Sequence, residues 1–257
     1  MDMLAYETRG SGPGLLLLHG TSSTGTGSWG TLLDALAAGH TVVAPDLPGS
    51  GTSPLPVGPL DLDTVADQVV EAAREAGLEE FVVAGASLGA ALAVRVAARH
   101  AGAVRGLATV VGFARPRTTL RLNLEMWASL YARGDENLGT YLTALSFSEP
   151  YLAALPPQAV QQVVAGFGGD AAAPGTAQQI ALTLSVDVRG DLSRIAVPTL
   201  VVASTEDRFV APEHSVELAD RIDGARLVTV PGGHAAVFED PGPTRDALLD
   251  YLGGLPR

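Results

Sequence analysis

The chain has 257 residues, 47% of them hydrophobic and only 17% charged, which suits one folded α/β domain with a substantial core. A net charge of −12 argues against a nucleic-acid backbone as partner, and no basic amphipathic segment suggests a membrane surface. There is no cysteine, and all 16 basic residues are arginine, so thiolate nucleophiles, disulfides, Schiff bases and a P-loop lysine are excluded.

In chain order, the start MDMLAYETRG has no apolar signal-peptide region. GLLLLHG (14–20) reads as a buried strand, SWGTLLDALAAG (28–39) as a helix closed by glycine, and HTVVAPDLPGSG (40–51) as a strand running into a Pro/Gly loop. A helix is expected over 61–78, a strand at EFVVAG and a helix directly after Ser87. A further strand follows at 104–113. From 115 to 189 the sequence is helix-like and rich in aromatics, with Leu120, Leu124, Trp127 and Tyr131 on one helical face. Strands at 198–207 and 225–233, with a helix near 212–222 between them and another at 243–254, complete the pattern. Apolar strands alternating with helices predict a mostly parallel central sheet covered by helices on both faces. The core is then 1–114 and 190–257, with 115–189 a helical cap over the carboxyl ends of the strands. The longest uncharged apolar run, 81–94, is shorter than the ~20 residues of a membrane span, so a cytoplasmic protein is expected.

Gly85-Ala86-Ser87-Leu88-Gly89 fits G-x-S-x-G between a strand and a helix, the context that presents a serine hydroxyl above a sheet edge. A serine nucleophile needs a base, and the base an orienting acid. His234 follows the last strand and Asp207 the one before it, so both belong on the rim that carries Ser87. Glu206 is the rival acid. The N–H groups of Leu88, at the helix start, and Thr21, in the loop HGTSSTGTGSW, are the candidate oxyanion donors. His19 is expected to be structural, and Asp46 to organise its own turn. Phe113, Trp127, Tyr131, Phe147, Phe167 and Val210 are the expected apolar walls of the substrate pocket. None of the five histidines has helix-face metal spacing, and no metal or cofactor is expected.

The pieces LLLLHG with Trp29 downstream, PDLPGSGTS, GASLGA, IAVPTLVVASTEDRFVAP and VPGGHAAVFEDP resemble the α/β-hydrolase superfamily. The likeness is to short, capped bacterial carboxylesterases and enol-lactonase-like members, from about residue 14 to the end. The resemblance implies the α/β-hydrolase fold with a small cap inserted after the sixth strand. It also implies a serine hydrolase that acts on a small-molecule ester or lactone through an acyl-enzyme, with Ser87, His234 and Asp207 as its triad. Ala90 stands where many relatives have a second glycine. The same triad could instead serve cyclisation, elimination or acyl transfer. A remote alternative is a dinucleotide-binding oxidoreductase, because Gly25, Gly27 and Gly30 fit G-x-G-x-x-G with Asp46 downstream. The natural substrate and the oligomeric state are not legible.

Overall fold

A computed structural model describes residues 3–55, 57–169 and 172–255. Seven strands form one sheet among these residues: β1 (Tyr6–Arg9), β2 (Gly14–Leu18), β3 (Thr41–Pro45), β4 (Phe81–Ala86), β5 (Val104–Val110), β6 (Thr199–Ser204) and β7 (Arg226–Val230). Their spatial order is β1-β3-β2-β4-β5-β6-β7. β1 runs antiparallel to β3 and every other neighbouring pair is parallel. The inner strands β2, β4 and β6 are short continuous apolar runs because both faces are covered. Leu15 and Leu17 point to one face and Leu16 and Leu18 to the other, all essentially inaccessible to solvent. Each such leucine contributes about 1.5–3 kcal/mol by leaving water.

Helices α1 (Gly25–Ala37), α11 (Ala236–Glu239) and α12 (Pro241–Gly253) pack on the Leu15 face, around Trp29, Leu32 and Tyr251. Helices α2 (Leu62–Glu75), α3 (Leu88–Arg99) and α10 (Glu213–Arg221) pack on the Leu16 face. α1 starts three residues earlier than its apolar spacing predicts, because Thr24 Oγ1 accepts the Gly27 N–H at 2.8 Å and caps the helix there.

Between β5 and β6 the chain builds α4 (Thr118–Ala132), α5 (Leu138–Ser146), α6 (Glu149–Ala154), α7 (Pro157–Gly166), α8 (Thr176–Ser185) and α9 (Arg189–Leu192). This helical insert follows the fifth strand, not the sixth. A single antiparallel strand, β1, precedes the parallel series, and its short, half-exposed pattern has no apolar run to mark it in sequence. No helix among the described residues is long and apolar enough to cross a membrane.

The chain places β3 on one side of β2 and then β4 on the other. The carboxyl ends of β2 and β4 therefore lie side by side, with Leu18 opposite Gly85, at the point where an open parallel sheet leaves a crevice.

Candidate active site

Ser87 sits between β4 and α3 with no loop on either side. Its backbone takes φ 56° and ψ −118°, a left-handed conformation that costs a non-glycine residue on the order of 1–3 kcal/mol. The flanking glycines make the turn sterically possible. A Cβ on Gly85 would lie 1.9 Å from the Gly89 carbonyl oxygen, and one on Gly89 would lie 2.3 Å from that of Leu18. The Ser87 N–H donates to Val110 O at 3.0 Å, tying the turn to β5.

His234 and Asp207 reach the serine from the ends of β7 and β6. His234 Nε2 lies 3.1 Å from Ser87 Oγ, and Nδ1 lies 2.7 Å from Asp207 Oδ2. Asp207 is buried, and its Oδ1 accepts the N–H groups of Phe209 at 2.9 Å and Val210 at 2.8 Å. With the carboxylate as acceptor, Nδ1–H donates and Nε2 is free to accept the serine hydroxyl. Glu206 is exposed, so it is not the residue beside the imidazole.

The loop after β2 lies against the serine: a Cβ on Gly20 would meet Ser87 Cβ at 3.3 Å. His19 supports this loop from beneath. Its Nε2 accepts the Leu47 N–H at 2.8 Å and its Nδ1–H donates to Gly20 O at 2.7 Å, so the ring is neutral. Burial pushes its pKa down to about 4. Thr21 lines the cavity above Ser87. Leu88 has a fully buried side chain but is the first residue of α3, where an N–H has no intrahelical acceptor.

The insert is tied to each of these loops. Asn123 Nδ2 donates to the carbonyls of Arg208 and Phe209, both at 3.2 Å, beside the acid. Glu239 Oε1 accepts the N–H groups of Ser148 at 2.7 Å and Gly233 at 3.0 Å, next to His234, while Ser148 Oγ lies 2.6 Å from Oε2. Asn123 belongs to no motif, and Glu239, though inside the segment VPGGHAAVFEDP, ties to the insert through Ser148 across 91 residues, so sequence reasoning missed both roles.

Beneath the insert lies a cavity of about 900 Å³ with Ser87 and His234 in its wall. Three of the expected pocket residues, Trp127, Phe147 and Phe167, line it. Phe113, Tyr131 and Val210 do not. Val111 has φ 47°, which turns the chain off β5 and sends Phe113 into the core, edge-on to buried His214 at 6.1 Å. Tyr131 lies one helical turn beyond Trp127 and packs against the core. Val210 is buried and contributes its backbone N–H to Asp207 instead. Sequence reasoning missed Leu138, Leu142, Tyr151 and Phe209. Phe209 packs on His234 at 5.3 Å and on Trp127 at 5.8 Å. Its position two residues after Asp207 was the available signal. Among the described lining residues there is no Arg, Asp or Glu. Arg115, Arg117 and Arg121 are exposed, and Arg121 reaches the Leu184 carbonyl.

The segment Gly25–Gly30 lies within α1. Gly25 packs on β3, where a Cβ would meet Ala44 O at 2.6 Å, and its N–H donates to Asp46 Oδ1 at 2.8 Å. Asp46 thus anchors the helix start, and Gly27 and Gly30 lie inside the helix rather than in a strand-to-helix turn that would cradle a pyrophosphate.

Comparison with known proteins agrees with this architecture. The family model described as "Alpha/beta hydrolase family" matches residues 15–247. The pyrrolizixenacetamide deacetylase of Xenorhabdus hominickii is 31% identical over 239 residues, covering 93% of this chain and 90% of that protein. The carbamate-hydrolase-type protein RutD of Azorhizobium caulinodans is 32% identical over 258 residues, covering 97% and 95%. The enol-lactonase structure from Burkholderia xenovorans superposes with a TM-score of 0.87 at 23% identity over 97% and 96% of the two chains, a likeness of fold. The chain belongs to the alpha/beta hydrolase family.

Proposed function

We propose that the protein is a serine hydrolase that cleaves a neutral carboxylic ester or lactone through an acyl-enzyme. The observation that carries this reading is the hydrogen-bonded series Ser87–His234–Asp207 opening into a cavity whose described walls carry no charged side chain. Ser87 Oγ attacks the carbonyl carbon as its proton passes to His234 Nε2. Asp207 holds the ring in the accepting tautomer and stabilises the imidazolium. The N–H groups of Thr21 and Leu88 receive the oxyanion. His234 then returns the proton to the leaving oxygen. In the second half, a water gives its proton to Nε2, its oxygen attacks the acyl carbon, and Ser87 leaves with the proton. Residues 115–189 act as a cap that walls the acyl group in with Trp127, Phe147 and Phe167.

A second reading keeps the machinery and changes the leaving group. Two relatives, at 31% and 32% identity, are named as a deacetylase and as a protein of carbamate-hydrolase type, which favours testing a nitrogen leaving group. The decisive experiment pairs intact-mass labelling by a fluorophosphonate with turnover of matched esters, lactones and anilides. One adduct, absent in Ser87→Ala, is expected, with ester turnover reduced by about 10³-fold or more in that variant. Faster cleavage of anilides than of matched esters would select the second reading. Labelling elsewhere would remove both.

A further inference from the structure

Gln179 is fully buried on α8, 157 residues from the loop it holds. Its Oε1 accepts the Ser22 N–H at 2.7 Å, and its Nε2 donates to Pro48 O at 3.0 Å and Ser50 Oγ at 2.8 Å. These partners fix the amide. Turned over, it would set donor against donor at Ser22 and oxygen against oxygen at Pro48.

Thr176 and Thr183 stand three residues before and four after Gln179, on the same helix face. Thr183 Oγ1 donates to the Gln179 carbonyl at 2.7 Å, so it accepts the Thr21 hydroxyl at 2.8 Å. Thr176 Oγ1 donates to Ala173 O at 2.7 Å, so it accepts the Ser22 hydroxyl at 2.6 Å. One face of α8 therefore grips two consecutive residues of the loop after β2.

That loop needs to be held. Ser22 has φ 61°, a left-handed conformation that non-glycine residues leave unless their surroundings prevent it. Gly20, on the other side of Thr21, backs onto Ser87. With Gly20 and Ser22 both fixed, the peptide plane carrying the Thr21 N–H is fixed as well.

We propose that Gln179 is a positioning residue: from α8 it locks Ser22 in its left-handed conformation and so aims the Thr21 N–H at the oxyanion formed on Ser87. This rests on the assignment of Ser87 and Thr21 proposed above. It makes part of the insert an organ of the oxyanion site as well as a cover for the substrate.

Gln179→Met keeps the side-chain length and removes all three hydrogen bonds. On p-nitrophenyl butyrate, kcat should fall on the order of 10²-fold, the scale of losing one oxyanion donor. KM should change by less than about threefold, and the midpoint of the pH–rate profile should not move, because His234 and Asp207 keep their contacts. Affinity for an aryl trifluoromethyl ketone, which forms the tetrahedral adduct on Ser87, should fall in parallel with kcat. Adding Ser22→Gly should recover roughly tenfold, because glycine adopts the left-handed conformation without being held. Thr183→Val, nearly isosteric, should give the same pattern at smaller size and carries the test if the methionine variant does not fold. Wild-type kcat and ketone affinity in a folded variant would overturn the inference, as would a loss that comes with a shifted pH midpoint and a raised KM. Absence of fluorophosphonate labelling at Ser87 in the wild type would overturn the underlying assignment instead.

Discussion

Replacing Asp207 with asparagine changes one oxygen to an NH2, and the structure decides which way the amide turns. Asp207 Oδ1 accepts two buried N–H groups, at 2.9 and 2.8 Å, while Oδ2 faces His234 Nδ1 at 2.7 Å. An NH2 placed against Phe209 and Val210 would strip both N–H groups of their acceptor, at about 1–3 kcal/mol each. The amide oxygen therefore stays there, favoured by at least about 2 kcal/mol, or roughly 30-fold. The NH2 then points at Nδ1, which must accept, and the imidazole carries its proton on Nε2. In that tautomer it cannot take the Ser87 proton. The expected loss in kcat is about 10⁴-fold, or roughly 5 kcal/mol of barrier, with the fold retained. The assay is p-nitrophenyl ester turnover beside circular dichroism and thermal unfolding, with Glu206→Gln as control. Glu206 is exposed, and its variant should stay within about twofold of wild type. An Asp207→Asn enzyme that keeps more than about a tenth of its kcat would refute the tautomer argument. Equal loss in Glu206→Gln would move the acid to that residue.

Three further outcomes are expected. In Gly85→Ala the new Cβ would lie 1.9 Å from the Gly89 carbonyl oxygen and 2.3 Å from its carbon, both backbone atoms that cannot swing away. Stability should drop by about 3 kcal/mol or more in urea unfolding, and a wild-type midpoint would contradict the tight β4–α3 crossing. His19 is held at about 4 by burial against about 6.5 in the unfolded chain, so between those values only the unfolded state takes up the proton. Stability is then complete above about pH 6.5 and falls with acidification, by about 2 kcal/mol at pH 5. Urea unfolding at pH 7.5 and 5 measures this, and a slope no smaller in His19→Asn would assign it elsewhere. The uncharged described wall predicts that a neutral ester exceeds its ω-carboxylate analogue in kcat/KM at both low and high ionic strength. A preference for the carboxylate that disappears on replacing Arg115, Arg117 or Arg121 would sink the neutral-substrate reading.

Local signals explain what was legible in the chain. Leu15 to Leu18 form a run that only a doubly covered strand accommodates, and Gly85 and Gly89 flank a serine where strand meets helix with no loop. His234 and Asp207 each follow a recognisable strand, so chain order alone put them on the rim with Ser87, and they lie in hydrogen-bonding contact with it and with each other. The insert was legible as helical, but its pocket face was only half so. Aromatic content picked out Trp127, Phe147 and Phe167 together with Phe113 and Tyr131, because periodicity marks a buried face without saying whether it meets core or cavity. The left-handed turn at Val111, which sends Phe113 into the core, has no sequence signal, since a β-branched residue is the least expected one there. Gln179, Glu239 and Asn123 lay beyond reach for the same reason. Each is an ordinary polar residue, and its meaning comes from partners on another element: Ser22, Ser148 and Arg208. Periodicity and turn chemistry act over a few neighbouring residues and determined the strands, the helices and the serine turn. Hydrogen bonds spanning 85 to 157 residues exist only once the sheet has brought its strand ends together, so the supports of the site were decided by the tertiary structure.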